Sequence, residues 1–188
     1  AAGAVDTLIR KGDARLEVLR VMKKIFLIGL PGSGKTTLGR QLADHLGLPF
    51  VDLDKEVEKH EGKLISEIFQ QQGENHFRLA ERSVLRNACE LPTGFVMATG
   101  GGAPCFFDNM HVMNAAGVTL FLDVPARIIR ERLERGNLNK RPLFAGLTPD
   151  ALKDKIEFLR THRLPFYRLA RVSVTDAQVT AAQLANLV

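Results

Sequence analysis

Short apolar runs separated by longer mixed segments set the rhythm of this chain. Ile25-Phe26-Leu27-Ile28 is too short for a helix and is followed by a glycine loop, so it predicts a buried strand. Similar runs recur at Phe50 to Leu53, Phe95 to Ala98, Val118 to Leu122 and Val172 to Val174. Helical spacing fills the gaps, near residues 36–46, 54–60, 64–72, 74–89, 108–115, 125–135, 148–163 and 178–187. Asp108 is placed to cap one of these helices, and Thr148 followed by Pro149 opens another in the preferred cap-then-proline order. Strands alternating with helices predict an α/β fold: a five-stranded parallel sheet with helices on both faces.

The pattern starts at Lys24. Residues 1–21 carry mixed charge and no motif, whereas Met22-Lys23-Lys24 leads straight into a strand. Residues 1–21 are therefore expected to be a peripheral extension or appended segment, and residues 22–188 a single domain. Composition adds little: 45% hydrophobic and 25% charged residues are ordinary for a globular chain. The net charge of +5 suits phosphate-bearing small molecules as well as nucleic acid. With no basic block and no aromatic interleaving, nucleic acid is not the expected partner. Cys89 and Cys105 lack metal spacing, and two thiols in a chain this long predict a reducing, cytoplasmic setting. No apolar run approaches the roughly 18 residues of a membrane span, and the first residues lack the apolar core of a signal peptide. The five histidines are scattered and form no metal constellation.

The chemistry enters at GLPGSGKT, residues 29–36, which fits G-x-x-x-x-G-K-[ST] at Gly29, Gly34, Lys35 and Thr36. A strand precedes it and a helix follows, so backbone N–H groups can curl round a phosphate at a helix N-terminus. Lys35 can reach the β- and γ-phosphates, and the Thr36 hydroxyl can ligate Mg²⁺. Nucleotide binding follows. A GTPase would carry Asn-Lys-x-Asp, but Asn139-Lys140-Arg141-Pro142 has no Asp. A motor ATPase would end a strand in an acid, but the third strand ends in Gly100-Gly101-Gly102. A small-molecule kinase remains, and it needs a pocket for the phosphate acceptor.

That pocket is expected at the carboxyl ends of the strands. Asp52-Leu53-Asp54 ends the second strand, and alternation would put both carboxylates on one side. One could hold Mg²⁺ through water and the other accept a hydrogen bond from a hydroxyl, although Asp54 could equally cap the helix that follows. Arg78, with Glu81 three residues on, reads from spacing alone as a solvated helical pair. Arg163 reads equally well as a cation at a helix end. Arg141 lies in a loop, residues 136–146, flanked by Gly136 and Gly146, which reads as a lid or as a plain surface loop. Three consecutive glycines mean that something approaches the backbone closely.

Together, GLPGSGKTTLGRQLA, DLD, Phe77-Arg78 with Glu81, GGG, Arg141-Pro142-Leu143 and Arg163-Leu-Pro-Phe-Tyr resemble the shikimate kinases in order and spacing, over about residues 22–170. The resemblance implies the three-layer fold of P-loop kinases, with an acceptor-binding helical region at about 54–90. It implies ATP-dependent phosphorylation of shikimate in aromatic amino acid biosynthesis, by a monomer, with Mg²⁺. Gly32, Ser33, Gly34, Lys35, Thr36, Thr37 and Arg141 would bind nucleotide, with Thr36 on the metal and Asp52 on its waters. Asp54 would contact the ring hydroxyls, and Arg78 and Arg163 the carboxylate. Gly100, Gly101 and Gly102 would line the ring, Phe69 and Phe77 would wall the pocket, and Glu81 would support Arg78. Lys35, Asp54 and Arg141 would be the catalytic set. The tail after the fifth strand lacks the basic residues common where adenine sits, and Gln178 is its nearest candidate. Gluconate kinases share the phosphate loop and are the same-class alternative. A regulatory nucleotide-binding module is the other.

Overall fold

A computed structural model describes residues 22–136, 138 and 143–188. The extension 1–21 and the lid residues Lys140 and Arg141 lie outside the described residues. Five strands, β1 (Lys24–Ile28), β2 (Phe50–Asp52), β3 (Phe95–Ala98), β4 (Val118–Leu122) and β5 (Val172–Val174), form one sheet in the order β2-β3-β1-β4-β5. Every pairing is parallel. Ile25 to Ile28 and Phe95 to Met97 are at most 2% exposed, as expected for strands covered on both faces. The middle strand is β1, not β3, so the phosphate loop rather than the glycine triplet leaves from the centre of the sheet.

Eight α-helices complete the described residues: α1 (Lys35–Leu46), α2 (Leu53–Glu61), α3 (Ile65–Gln71), α4 (Gly73–Glu90), α5 (Asn109–Ala116), α6 (Ala126–Arg135), α7 (Pro149–Tyr167) and α8 (Ala181–Ala185). A 3₁₀ turn, Ala103–Cys105, follows the glycines. The chain crosses from β1 to β2 on one side and later to β4 on the other. The carboxyl edge around β1 is therefore the switch point where such sheets bind ligands. Leu27 pairs with Ala98 on one flank and Leu120 on the other, and the Thr99 N–H donates to the Leu27 carbonyl at 3.1 Å, which sets Thr99 at that edge.

Four expectations change. Leu53 opens α2 instead of ending β2, so strand alternation does not place the two carboxylates. Asp52, not Asp54, caps α2, its Oδ1 accepting from the N–H groups of Asp54 (3.1 Å) and Lys55 (3.4 Å). Asp108 makes no cap bond, because its carboxylate is taken by Arg86 at 2.6 Å. Helix α7 runs one turn past Arg163, through Pro165 to Tyr167. The Thr148 cap and the proline after it stand as expected, with Oγ1 accepting from the Ala151 N–H.

Candidate active site

The phosphate loop is shaped by Gly29, Gly32 and Gly34 at φ of +146°, +84° and +100°, values that side chains rarely adopt. Its open turn ends on the first residues of α1. The Lys35 ammonium folds back over it and donates to the carbonyls of Gly29 and Leu30, each at 2.9 Å. The Ser33 hydroxyl is buried beneath the loop without a hydrogen-bond partner.

A cleft of about 600 Å³ opens over this loop. Gly32, Gly34, Lys35, Thr36 and Thr37 form its floor, Asp52 and Asp54 one side, and Thr99, Gly100 and Gly101 the back. The far end is closed by Arg132 with Ala177, Gln178 and Val179. Arg132 is a site residue that the sequence pattern does not reveal. Its guanidinium donates to the Ser33 carbonyl at 3.1 Å and the Ala177 carbonyl at 2.8 Å, tying the phosphate loop to the segment after β5. Helix α6 carries four arginines, and nothing in their spacing marks Arg132 as the one that lines the cleft.

The acceptor side is organised by the three glycines. A Cβ on Gly100 would lie 2.7 Å from the Asp54 Oδ1 and 3.2 Å from the Glu81 Oε1. On Gly101 it would lie 2.8 Å from the Arg163 guanidinium and 3.0 Å from Pro31 of the phosphate loop. On Gly102 it would lie 2.5 Å from the Arg78 guanidinium. Each glycine thus gives room to a different charged group, and Asp54, Arg163 and Arg78 are brought into one row. Two cations and one carboxylate at the end of a strand make a receptor for a hydroxy acid.

Other side chains fix this row. The Arg78 guanidinium pairs with Glu81 at 2.8 Å and Glu74 at 3.3 Å. Glu81 is fully buried, its Oε1 has no hydrogen-bond partner, and burial pushes its carboxyl up to about 7 despite Arg78. Burial, with Asp52 beside it, also raises Asp54 above the usual carboxylate range, against the pull of Lys35 and Arg78. Phe69 and Phe77 stack at 4.9 Å, with Phe77 buried and Phe69 at the rim.

Tyr167 donates to the Gly101 carbonyl at 2.6 Å from one turn below Arg163, and burial raises its phenol well above the usual range. Neither Arg78 nor Arg163 lines the cleft over the phosphate loop. They flank its back wall behind the glycines.

A family profile described as shikimate kinase matches residues 31–188. A shikimate kinase of Bacteroides fragilis is 46% identical over 149 residues, which is 79% of this chain and 82% of the relative. The chain belongs to the shikimate kinase family. The solved shikimate kinase of Bacteroides thetaiotaomicron superposes with a TM-score of 0.82 at 38% identity, covering 88% of this chain and 97% of that one. A shikimate kinase from Acinetobacter baumannii, solved in complex with shikimate, gives a TM-score of 0.78 at 34% identity, covering 91% and 93%.

Cys105, next to the receptor, is half-buried and its thiol is pushed up to about 11 by burial, which makes it inert rather than nucleophilic. No helix among the described residues is long and apolar enough to cross a membrane.

Proposed function

We propose that the protein transfers the γ-phosphoryl group of ATP to a ring hydroxyl of shikimate, giving shikimate 3-phosphate and ADP. The observation that carries this reading is the row of Asp54, Arg163 and Arg78 against three successive glycines, beside a phosphate loop. Arg78 and Arg163 take the acid's carboxylate, and the exposed backbone of the glycines admits a flat ring. Asp54 accepts a hydrogen bond from the reacting hydroxyl and takes its proton as the phosphoryl group arrives. Its raised proton affinity makes it a better acceptor than a surface aspartate.

The loop amides and Lys35 hold the phosphates, with the Lys35 ammonium exchanging its carbonyl contacts for phosphoryl oxygens. The nucleoside end is assigned to the space between Arg132 and Ala177 to Val179, a reading supported by their lining the cleft beside the phosphate loop. Thr36 and Asp52 would hold Mg²⁺, the second through water. Both line the cleft, the cap of α2 engages one oxygen of Asp52, and hydroxyl and carboxylate oxygens suit a hard cation. Mg²⁺ held there would supply positive charge that neutralises the phosphates. Arg141, from the lid, adds positive charge over the phosphates and helps exclude water. All these groups come from one chain, which suits a monomer. Two free thiols suit a reducing, cytoplasmic setting.

ADP release measured with shikimate, gluconate and nucleoside monophosphates in turn tests the assignment. Release is expected with shikimate alone, and release with gluconate but not shikimate would refute it. Asp54→Asn is expected to lower kcat at least about 100-fold while leaving ATP affinity nearly intact. If ATP binding collapsed instead, Asp54 would belong to the nucleotide.

A further inference from the structure

Helix α4 carries Arg78, Arg82 and Arg86, one turn apart. Each meets a successive residue of the segment after the 3₁₀ turn. The Arg78 guanidinium lies over the Phe106 ring at 4.1 Å, and Arg82 lies over Phe107 at 4.9 Å. Arg86 reaches the Asp108 carboxylate at 2.6 Å, and Arg82 comes within 3.4 Å of its other oxygen.

The two outer rungs lie at the surface, where Phe107 is 53% exposed. They have backbone work to do: Phe107 has a φ of +50°, the one positive value at a non-glycine among the described residues. Such a conformation persists only where neighbours over-determine it.

The inner rung differs, because Arg78 belongs to the acid receptor. Its ionic partners, Glu74 and Glu81, sit on its own helix, so they set its reach but hold it only from that side. A planar guanidinium binds a carboxylate through its edge, and the orientation of that edge depends on what lies against its faces. Phe77 lies at 4.9 Å on the same helix. Phe106 is closer, and it is the ring supplied from across the site.

We propose that Phe106 is a positioning residue for the acceptor. Its ring holds one face of the Arg78 guanidinium, so that the N–H edge stays turned toward the substrate's carboxylate. The outer rungs, Arg82 with Phe107 and Arg86 with Asp108, fix the segment that delivers the ring. This role rests on the reading of Arg78 as a carboxylate-binding group.

Steady-state kinetics of Phe106→Leu, Phe106→Tyr and Arg78→Ala, together with the NMR signal of the Arg78 Nε–H, test the proposal. Phe106→Leu is expected to raise KM for shikimate about tenfold, the size of a partly desolvated cation–π contact. Its kcat and its KM for ATP should stay within about twofold, because Asp54 and the phosphate loop are untouched. Phe106→Tyr keeps the ring and should restore the native KM. The Arg78 Nε–H, shielded by the ring, should move downfield in the leucine variant and stay in place in the tyrosine variant.

Two outcomes overturn the proposal while leaving the carboxylate reading intact. One is an unchanged KM in Phe106→Leu when Arg78→Ala raises it. The other is a Phe106→Tyr variant as impaired as Phe106→Leu. An unchanged KM in Arg78→Ala overturns the carboxylate reading and, with it, the role of the ring in binding.

Discussion

A methyl group added at Gly100 meets Asp54, whereas one added at Gly102 meets Arg78. Neither glycine has a positive φ, so alanine is allowed by the backbone at both places. What must give way is the end of a charged side chain. Gly100→Ala is therefore expected to lower kcat at least about tenfold, because it displaces the carboxylate proposed as the proton acceptor. Gly102→Ala should instead raise KM for the acid, with kcat less affected, because it tilts the Arg78 guanidinium. Steady-state kinetics separate the two, and interchange of these effects would mean that Asp54 and Arg78 have been assigned the wrong roles. Gly101 sits between them, and its substituent would press on both Arg163 and Pro31, so alanine there disturbs acid and nucleotide together.

Elements carry their own constraints. The chain passes from α5 to β4 through Gly117, where any Cβ would run into the Lys24 carbonyl of β1. That obstacle is backbone in the middle strand and cannot swing aside. Gly117→Ala is expected to cost about 1–3 kcal/mol, a fall in Tm of roughly 2–12 °C for a chain of this size, measured by thermal unfolding. An unchanged Tm would mean that β4 can slide relative to β1.

Helix α7 shows how packing overrules a local signal. Pro165 has no N–H to donate back to Thr161, so the sequence reads as a helix ending near Arg163. The last turn persists because Tyr167 is buried, stacks on Phe121 at 5.1 Å and bonds the Gly101 carbonyl. That extra turn brings a phenol under the glycine triplet.

At the scale of the whole molecule, a buried carboxylate beside the acceptor site links stability to pH. Glu81 titrates near 4.5 when unfolded and about 7 when folded, because burial disfavours its charge more than Arg78 restores it. The folded state therefore binds that proton more tightly. The resulting stabilisation is complete below about pH 4.5 and is lost as pH rises through about 7. The shift corresponds to roughly 3 kcal/mol. Compared with Glu81→Gln, which cannot titrate, the native protein should lose Tm between pH 4.5 and pH 8, by roughly 6–12 °C. A constant difference between the two across that range would show that Arg78 keeps Glu81 ionised throughout.

Much of this architecture was legible in the sequence, for reasons that differ by element. Buried parallel strands must be short apolar runs, so all five could be found and only their ends moved. The phosphate loop is local: its glycines, Lys35 and Thr36 are adjacent in the chain, and the backbone turn they encode needs little from elsewhere. The proposed acceptor residues rest on the combined DLD, GGG and Arg163 motifs of the family, since spacing alone favoured reading Arg78 as a surface cation and left Arg163 open. Tertiary structure decided which glycine makes room for which charge, because residues 54, 78 and 163 meet residues 100–102 only across the sheet edge. It decided that Asp52, not Asp54, caps the helix after β2. It also picked Arg132 from a charged helix and set Phe106 against Arg78. Periodicity reports which face of an element is buried. It carries no information about what a distant segment places against that face, and the chemistry of this site depends on those contacts.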